Sequence, residues 1–397
     1  MKRRFALKGI AAVTLVVAGG LVWRARDRGV FAEPEGEPFL PWDVWRAPDL
    51  KGTPLALTAA AILASNPHNT QPWIFRVRDT GIEVWADSRR HLGTFDPYLR
   101  EAYIGLGCAI ENMVLAAPVN GFTATVQADG GSLLDIKTRT DPVRVATIAL
   151  VRAAGSLAAR PLYEAIPRRH TNRYGYVRER PIPTDAIDAV KAAAEDPQLR
   201  LFLYDEGSAR RRFDDAAVRA TEEIVADKQM IEDSHAWFRD GRGELARERS
   251  GLALDTAGLA PWLLAVAKML PALPAEQSHG QWLTATRETH LPTAPLVGFI
   301  AVRDRYDRPQ ALVTGRTWQR MHLVATTLGI AMHPINQPVE MIDRDRQLGR
   351  EPKSEARLAA VTEMPDWKPT FAFRAGYPTR EAPRSARRAL AEVAAKV

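Results

Sequence analysis

One cysteine in 397 residues, Cys108, excludes an internal disulfide and argues against any cysteine-based metal site. It lies in the apolar stretch Ala102–Ile110, where a small thiol reads as a core residue, not a nucleophile. The eight histidines follow no metal-ligand spacing. Gly105-Leu106-Gly107 lacks the third glycine and the preceding strand of a dinucleotide-binding fingerprint. There is no nucleophile elbow. The formal charge is +7, but the arginines and lysines are spread along the chain and no nucleic-acid-binding motif accompanies them, so a nucleic-acid partner is not expected. No apolar run reaches the ~20 residues of a spanning helix.

What is present begins with size. The length allows two lobes with real cores, and 46% hydrophobic with 25% charged residues is ordinary for a folded protein. Residues 33–52 hold several proline, glycine and acidic residues and read as a linker or wrapping arm. Thr53-Pro54 opens a helix running to about Ala64. Trp73–Val77 and Ile82–Ala86 alternate around Asp79-Thr80-Gly81, which predicts a hairpin. Asp96-Pro97 starts a helix to about Pro118. Strands are expected at 122–128, 133–138 and 144–152. Later come helices at 160–166 and 184–194, a strand at 199–204 and an uneven helical region at 208–270. A fully apolar strand at 296–302, a helix at 309–331 and a strand at 370–374 follow. Helices between irregularly spaced strands predict an α+β fold.

The N-terminus has its own pattern. Met1–Lys8 is basic, Gly9–Trp23 is apolar save Thr14, and Arg24, Arg26 and Arg28 follow. This reads as an export signal. It resembles a twin-arginine signal, with Arg3-Arg4 as the pair and Leu7 and Lys8 at the expected offsets; Ala6 departs from the usual Phe. Val30-Phe31-Ala32 suits a cleavage site. An uncleaved anchor, counted from Phe5 to Trp23 with Lys8 included, is the other reading. Residues 1–32 are thus expected to be a signal or membrane anchor, with the protein exported, periplasmic or anchored facing the periplasm.

Two motifs carry chemistry. In Arg168-Arg169-His170-Thr171-Asn172-Arg173, two guanidinium groups and a hydroxyl lie within five residues. Such forks bind phosphate oxygens in bidentate fashion, although the same residues could form a solvated face. Ser65-Asn66-Pro67-His68-Asn69-Thr70-Gln71-Pro72-Trp73 supplies the amides of Asn66, Asn69 and Gln71 in a proline-stiffened loop. Those amides could serve a planar heterocycle with both donors and acceptors, or belong to an ordinary turn.

Together the motifs resemble the flavin-dependent nitroreductase superfamily. Asn69-Thr70-Gln71-Pro72-Trp73 is similar to its Asn-x-Gln-Pro-Trp signature, and Arg169-His170-Thr171-x-Arg173 to its flavin-phosphate motif. Gly315-Arg316-Thr317-x-Gln319 resembles its late helix. Phe373–Pro378 and Ser385-x-Arg387-Arg388 resemble its last strand and tail. His333-Pro334-Ile335-Asn336-Gln337-Pro338 and the long chain resemble the Acg-type subgroup. The likeness covers residues 54–388. It implies mixed sheets flanked by helices. The motif order is inverted: the first half has Asn-x-Gln-Pro-Trp without an arginine motif, and the second half the reverse. This implies a fused dimer of two pseudo-symmetric lobes, 53–158 and 159–397, working as a monomer, with a lid within 208–290.

The resemblance implies an FMN cofactor held by Ser65, Asn66, Asn69, Gln71, Arg169, His170, Thr171, Arg173, Gly315, Arg316, Arg387 and Arg388. It implies hydride or electron transfer through the flavin N5 to nitro- or quinone-like acceptors, with no side-chain acid or base. The donor would be NAD(P)H or, because export removes the chain from that pool, a membrane redox partner. Export itself would use the twin-arginine machinery. The alternative is a catalytically silent FMN-storage protein with a closed lid.

Overall fold

A computed structural model of the chain describes residues 22–30, 35–136 and 141–397. The paired arginines of the export pattern lie outside the described residues. Residues 22–27 are helical, and this segment rests on the middle of the chain: Arg24 Nε donates to the Met269 carbonyl at 2.9 Å and Arg28 meets Asp240 at 2.6 Å. The described part of the arm folds back as helical turns at Glu37–Phe39 and Leu40–Val44, and Trp42 and Trp45 are buried.

In the first half, α1 (Pro54–Ala61) leads through a loop to β1 (Trp73–Arg78) and β2 (Gly81–Ala86), the expected antiparallel hairpin. Thr53 does not cap α1; its hydroxyl donates to Leu50 O instead. Then come α2 (Arg100–Val119), β3 (Phe122–Ala128) and β4 (Val143–Arg152). The start of α2 is displaced from the expected Asp96. Leu99 has φ +60, and the Asp96 carboxylate accepts from the N–H groups of Glu101 and Ala102, so Asp96 satisfies the helix start from outside it. The expected strand at 133–138 is not formed in its described part. Leu133 and Ile136 give their N–H groups to Tyr306 O and Pro97 O rather than to a ladder, and residues 137–138 lie outside the described ones.

The second half opens with α3 (Arg160–Ala165), α4 (Thr184–Ala192) and β5 (Leu199–Tyr204). The uneven helical region resolves into α5 (Gly207–Ala226), α6 (Lys228–His235), α7 (Gly241–Glu248), α8 (Pro261–Met269) and α9 (Ala275–Ala285). The two-residue strands β6 (Phe238–Arg239) and β7 (Leu252–Ala253) pair within it. Then follow β8 (Leu296–Val302), α10 (Arg308–Thr327), β9 (Ala331–Pro334), α11 (Gln337–Gln347), α12 (Lys353–Thr362), β10 (Lys368–Gly376) and β11 (Ala394–Lys396). Every residue of β8 is buried, as its unbroken apolar run requires.

The result is α+β with two main sheets. One has the order β11-β1-β2-β4-β3 and is mixed, because β11 runs parallel to β1; the other is antiparallel, β5-β8-β10-β9. The last strand of the chain therefore completes the sheet built by the first half. One continuous apolar core joins Trp73 and Phe75 of the first sheet to Ile300, Phe371 and Phe373 of the second.

Between the sheets lie α2 and α10. Their contact is set by glycine. A methyl group on Gly107 would overlap the Leu312 carbonyl oxygen, and one on Gly315 would overlap the Ile104 carbonyl oxygen. The backbones touch, Cys108 Sγ lies 3.2 Å from Gly315 O, and Gln319 Nε2 donates to Asn112 Oδ1 at 2.8 Å. Nearby, Arg100 joins Asp343 at 2.7 Å with both side chains fully buried, tying α2 to α11. Burial and the charge of Glu101 push Asp96 up to about 7 in this carboxylate-rich region. Because overpacking a rigid backbone contact cannot be relieved by a rotamer change, Gly315→Ala is expected to cost about 3 kcal/mol or more. Urea unfolding of the two proteins measures this; equal midpoints would mean that the helices separate freely.

Candidate functional site

Four separate segments meet beside the α2–α10 crossing: 63–71, 169–173, 249–258 and 385–388. The first is a strained loop. His68, Asn69 and Gln71 all have positive φ, at 44, 55 and 52°. Left-handed backbone at a non-glycine residue costs about 1–3 kcal/mol and persists only where the surroundings enforce it. Gln71 N donates to Asn66 Oδ1 at 2.8 Å, and Asn66 Nδ2 reaches Ala64 O. From α10, Gln319 Oε1 accepts from Ser65 N, and Trp318 Nε1 donates to Ser65 Oγ at 3.4 Å.

The amides expected to face a ring are turned toward protein backbone instead. Asn69 Nδ2 donates to Ala386 O at 2.8 Å and to Gly251 O at 3.2 Å. Gln71 Nε2 donates to Arg249 O, and its Oε1 accepts from Arg388 N, both at 2.8 Å. Asn69 and Gln71 thus bind the chain's tail and a strap at 249–258, while Asn66 bonds within its own loop. Arg173 Nη1 joins the same strap through Thr256 O at 3.2 Å.

Behind the loop lies a buried cluster of uncompensated positive charge. Arg169 and Arg387 are only 2% and 3% exposed. Arg387 Nη1 donates to Asn69 Oδ1 and Ser385 Oγ, both at 2.6 Å, and its Nη2 to Ala64 O. Arg169 Nη2 reaches Leu63 O at 3.2 Å. Yet Arg169 Nε and Nη1 and Arg387 Nε have no partner, and among the described residues no carboxylate pairs with either group. Burial pushes Arg169 down to about 10; burial and then the Arg169 charge push Arg387 well below its ordinary value. Arg387 lies 4.8 Å over the Trp42 ring, and the His170 ring lies 4.9 Å from the same indole. Burial, then Arg169, Arg387 and Arg384, pushes His170 down to about 3. His322 is lowered by burial, Arg169 and His170. Burial biases Arg169, Arg387, His170 and His322 toward their neutral forms, and the Arg169 charge adds to this for the other three.

Thr171 continues along β9, bridged to Met332. Arg173 lies further on; burial and then Arg374 push it down to about 10, while burial and then Arg173 push His68 down to about 3. The remaining expected residues fall elsewhere or serve differently. Gly315 is part of the helix crossing, and Arg316 is bound to the buried Glu111 at 3.0 Å, so neither joins the cluster. Arg388 contributes its backbone N–H to Gln71, while its Nη1 has no partner. Trp42, His322 and the strap were not legible as site elements. Only Gly251 and Gly258, whose φ values are 86 and 80°, hinted at a tight turn there.

A buried guanidinium without a counter-ion destabilises the protein that carries it. Arg169→Met is therefore expected to stabilise the ligand-free chain by about 1–3 kcal/mol. Thermal melts at low phosphate check this; a destabilised variant would mean that the cation is compensated within the fold.

No family model matches the chain. Two proteins of Mycobacterium tuberculosis, from strains CDC 1551 / Oshkosh and H37Rv, both provisionally named NAD(P)H nitroreductase, are each 27% identical to it over 297 residues. The match covers 74% of this chain and 78% of theirs. Among solved structures, the FMN-dependent nitroreductase NfnB of Mycobacterium smegmatis, in complex with NADPH, matches 59% of this chain and 96% of its own, with 19% identity and a TM-score of 0.39. Iodotyrosine deiodinase bound to FMN and 3-iodo-L-tyrosine matches 57% and 95%, with 14% identity and a TM-score of 0.33. Over 74% of its length, then, this chain is similar to proteins named for nitroreductase activity.

Proposed function

We propose that this chain is an FMN-dependent oxidoreductase of nitroreductase type, acting on nitro- or quinone-like acceptors with NAD(P)H or a membrane redox donor. One observation carries the reading: the buried guanidinium groups of Arg169 and Arg387 have three N–H sites without a partner and no carboxylate beside them. A dianionic phosphate satisfies that requirement, and a carboxylate or neutral ligand satisfies less of it. Arg169 and Arg387 would hold the phosphate, with Thr171 beside them. Arg173, at the far end of the same run, would present positive charge toward the ring. Asn69 and Gln71 would act indirectly, holding Arg387 and the backbone of Arg388 in place. When bound, the flavin supplies two-electron redox chemistry. The chain's own part is to bind it, orient it and exclude water. No acid or base from the chain is assigned, since burial holds His68 and His170 neutral at ordinary pH.

The test begins with the purified protein incubated with FMN and desalted. The wild type is expected to keep the visible band of oxidised flavin and Arg169→Met to lose it; a colourless wild type would refute the reading. Anaerobic NADPH should then bleach the band and support turnover of a nitro compound. A retained band that neither NADPH nor a quinol bleaches would favour the storage alternative.

Export through the twin-arginine route belongs to the same proposal, since that route carries folded proteins and their cofactors. It rests on Arg3-Arg4 and the apolar run after them. Replacing both arginines with lysine should hold the protein in the cytoplasm; unchanged export would rule the route out.

A further inference from the structure

A cleft of about 560 Å³ shares no residue with the arginine cluster above. It opens between the turn that follows β8, the end of α11, the start of α12 and the start of β10. Five cations line it, Arg303, Arg305, Arg346, Arg350 and Lys368, against the carboxylates of Asp304 and Glu355.

The two carboxylates are already committed. Glu355 accepts from Arg305 at 2.8 Å and lies 3.6 Å from Lys368. Asp304 Oδ1 accepts from Tyr306 N at 2.8 Å. Arg305 is itself buried and also donates to Pro369 O. These groups neutralise one another and form the floor.

Arg303, Arg346 and Arg350 remain. Arg303 lies 4.0 Å over the Trp367 ring; its carboxylate neighbour, Asp366, is 3.7 Å away and 84% exposed. Arg346 lies 3.9 Å over Tyr306 and 5.4 Å from Tyr98. Neither Arg346 nor Arg350 has a salt-bridge partner among the described residues. Stacking on an aromatic face fixes a guanidinium plane while leaving N–H edges available, so Arg346 is oriented but not neutralised, and Arg303 is oriented with only the exposed Asp366 beside it. Gly349, with φ +63, reverses the chain after α11, and Arg350 N returns to Asp345 O at 2.8 Å, which keeps Arg350 beside Arg346. The α12 helix starts at the cleft wall with no side-chain cap, adding the partial positive charge of a helix start.

We propose that this cleft binds a small soluble molecule carrying at least two linked phosphate groups. Arg346 and Arg350, without a carboxylate partner, and Arg303, held only by the exposed Asp366, match the charge of a diphosphate, whereas a single carboxylate would leave at least one of them unmatched. The volume lies in the range of small-ligand sites and exceeds what one inorganic anion needs. The aromatic faces of Tyr306 and Trp367 are covered by arginines, so the phosphates, not a stacked base, would be what the cleft recognises.

Inorganic pyrophosphate is the probe, titrated calorimetrically into the full chain at physiological ionic strength, with inorganic phosphate and acetate as comparisons. Saturable binding is expected, tighter for pyrophosphate than for phosphate by about tenfold, and weakened about tenfold by either Arg346→Gln or Arg350→Gln. Both side chains are exposed, so the melting temperature and flavin retention should not change in the variants. Absence of saturable binding, or binding indifferent to both substitutions, would overturn the proposal. So would attachment to phosphatidylglycerol vesicles, and not to phosphatidylcholine ones, without any response to pyrophosphate, because the anion recognised would then be a membrane surface. A colourless protein that still binds pyrophosphate would remove the flavin reading and leave this one standing.

Discussion

The direct contact of two helix backbones at Gly107 and Gly315 governs the geometry of the first site. Because α2 and α10 touch there, the side chains one turn further along α10 reach across to the opposite half. Trp318 and Gln319 hold Ser65, and Gln319 also fixes Asn112, which in turn bonds to Ala60 O. Arg316 and Arg320 bracket the buried Glu111 on the outer side of the same crossing. A strained loop needs a rigid support. Two helices at backbone contact, locked by buried hydrogen bonds, supply one.

On that support the protein maintains an arrangement that is unfavourable by itself. Arg169 and Arg387 sit in the interior without a counter-ion, and the loop beside them holds three non-glycine residues in left-handed backbone. Each feature costs stability, and neither is needed for packing, since an apolar residue of similar size would fill the space of Arg169 at lower cost. Uncompensated charge next to stored backbone strain is what a binding site looks like before its ligand is considered. The cleft differs in kind. Arg303, Arg346 and Arg350 are exposed, and the first two stack on aromatic rings, so retaining them costs little.

Sequence and structure agree where the information is local. The alternation of Trp73–Ala86 with its central turn, the apolar run of β8 and the arginine-rich run at 168–173 could all be read from neighbouring residues. The start of α2 was misplaced by a few residues because Asp96 caps it from beyond a kink at Leu99, a geometry that composition does not encode. The chemistry of Asn69 and Gln71 was also legible, as donors and acceptors in a stiff loop. Their partners were not, because these are backbone atoms of Gly251, Ala386, Arg249 and Arg388, far away along the chain. Arg316 looked like a phosphate ligand for the same reason in reverse: Glu111, which holds it, lies in the other half of the chain.

The dependence on distant segments says something about how the site is assembled. Arg387 joins the cluster only when the C-terminal segment lies across the Asn69 loop, and that segment is anchored beyond it by β11, where Ala394 pairs with Phe75 and Lys396 with Val77. Until the tail docks, Asn69 lacks its bonds to Ala386 O and Arg387, and Gln71 its bond from Arg388 N, while their backbone remains strained. The tail in turn brings a second buried cation toward Arg169, which opposes docking. Strain relief and ladder formation therefore favour closure, while charge repulsion resists it. A phosphate between Arg169 and Arg387 would reverse the sign of that last contribution. On the proposed phosphate assignment, ligand binding and docking of the C-terminal segment would be a single coupled equilibrium.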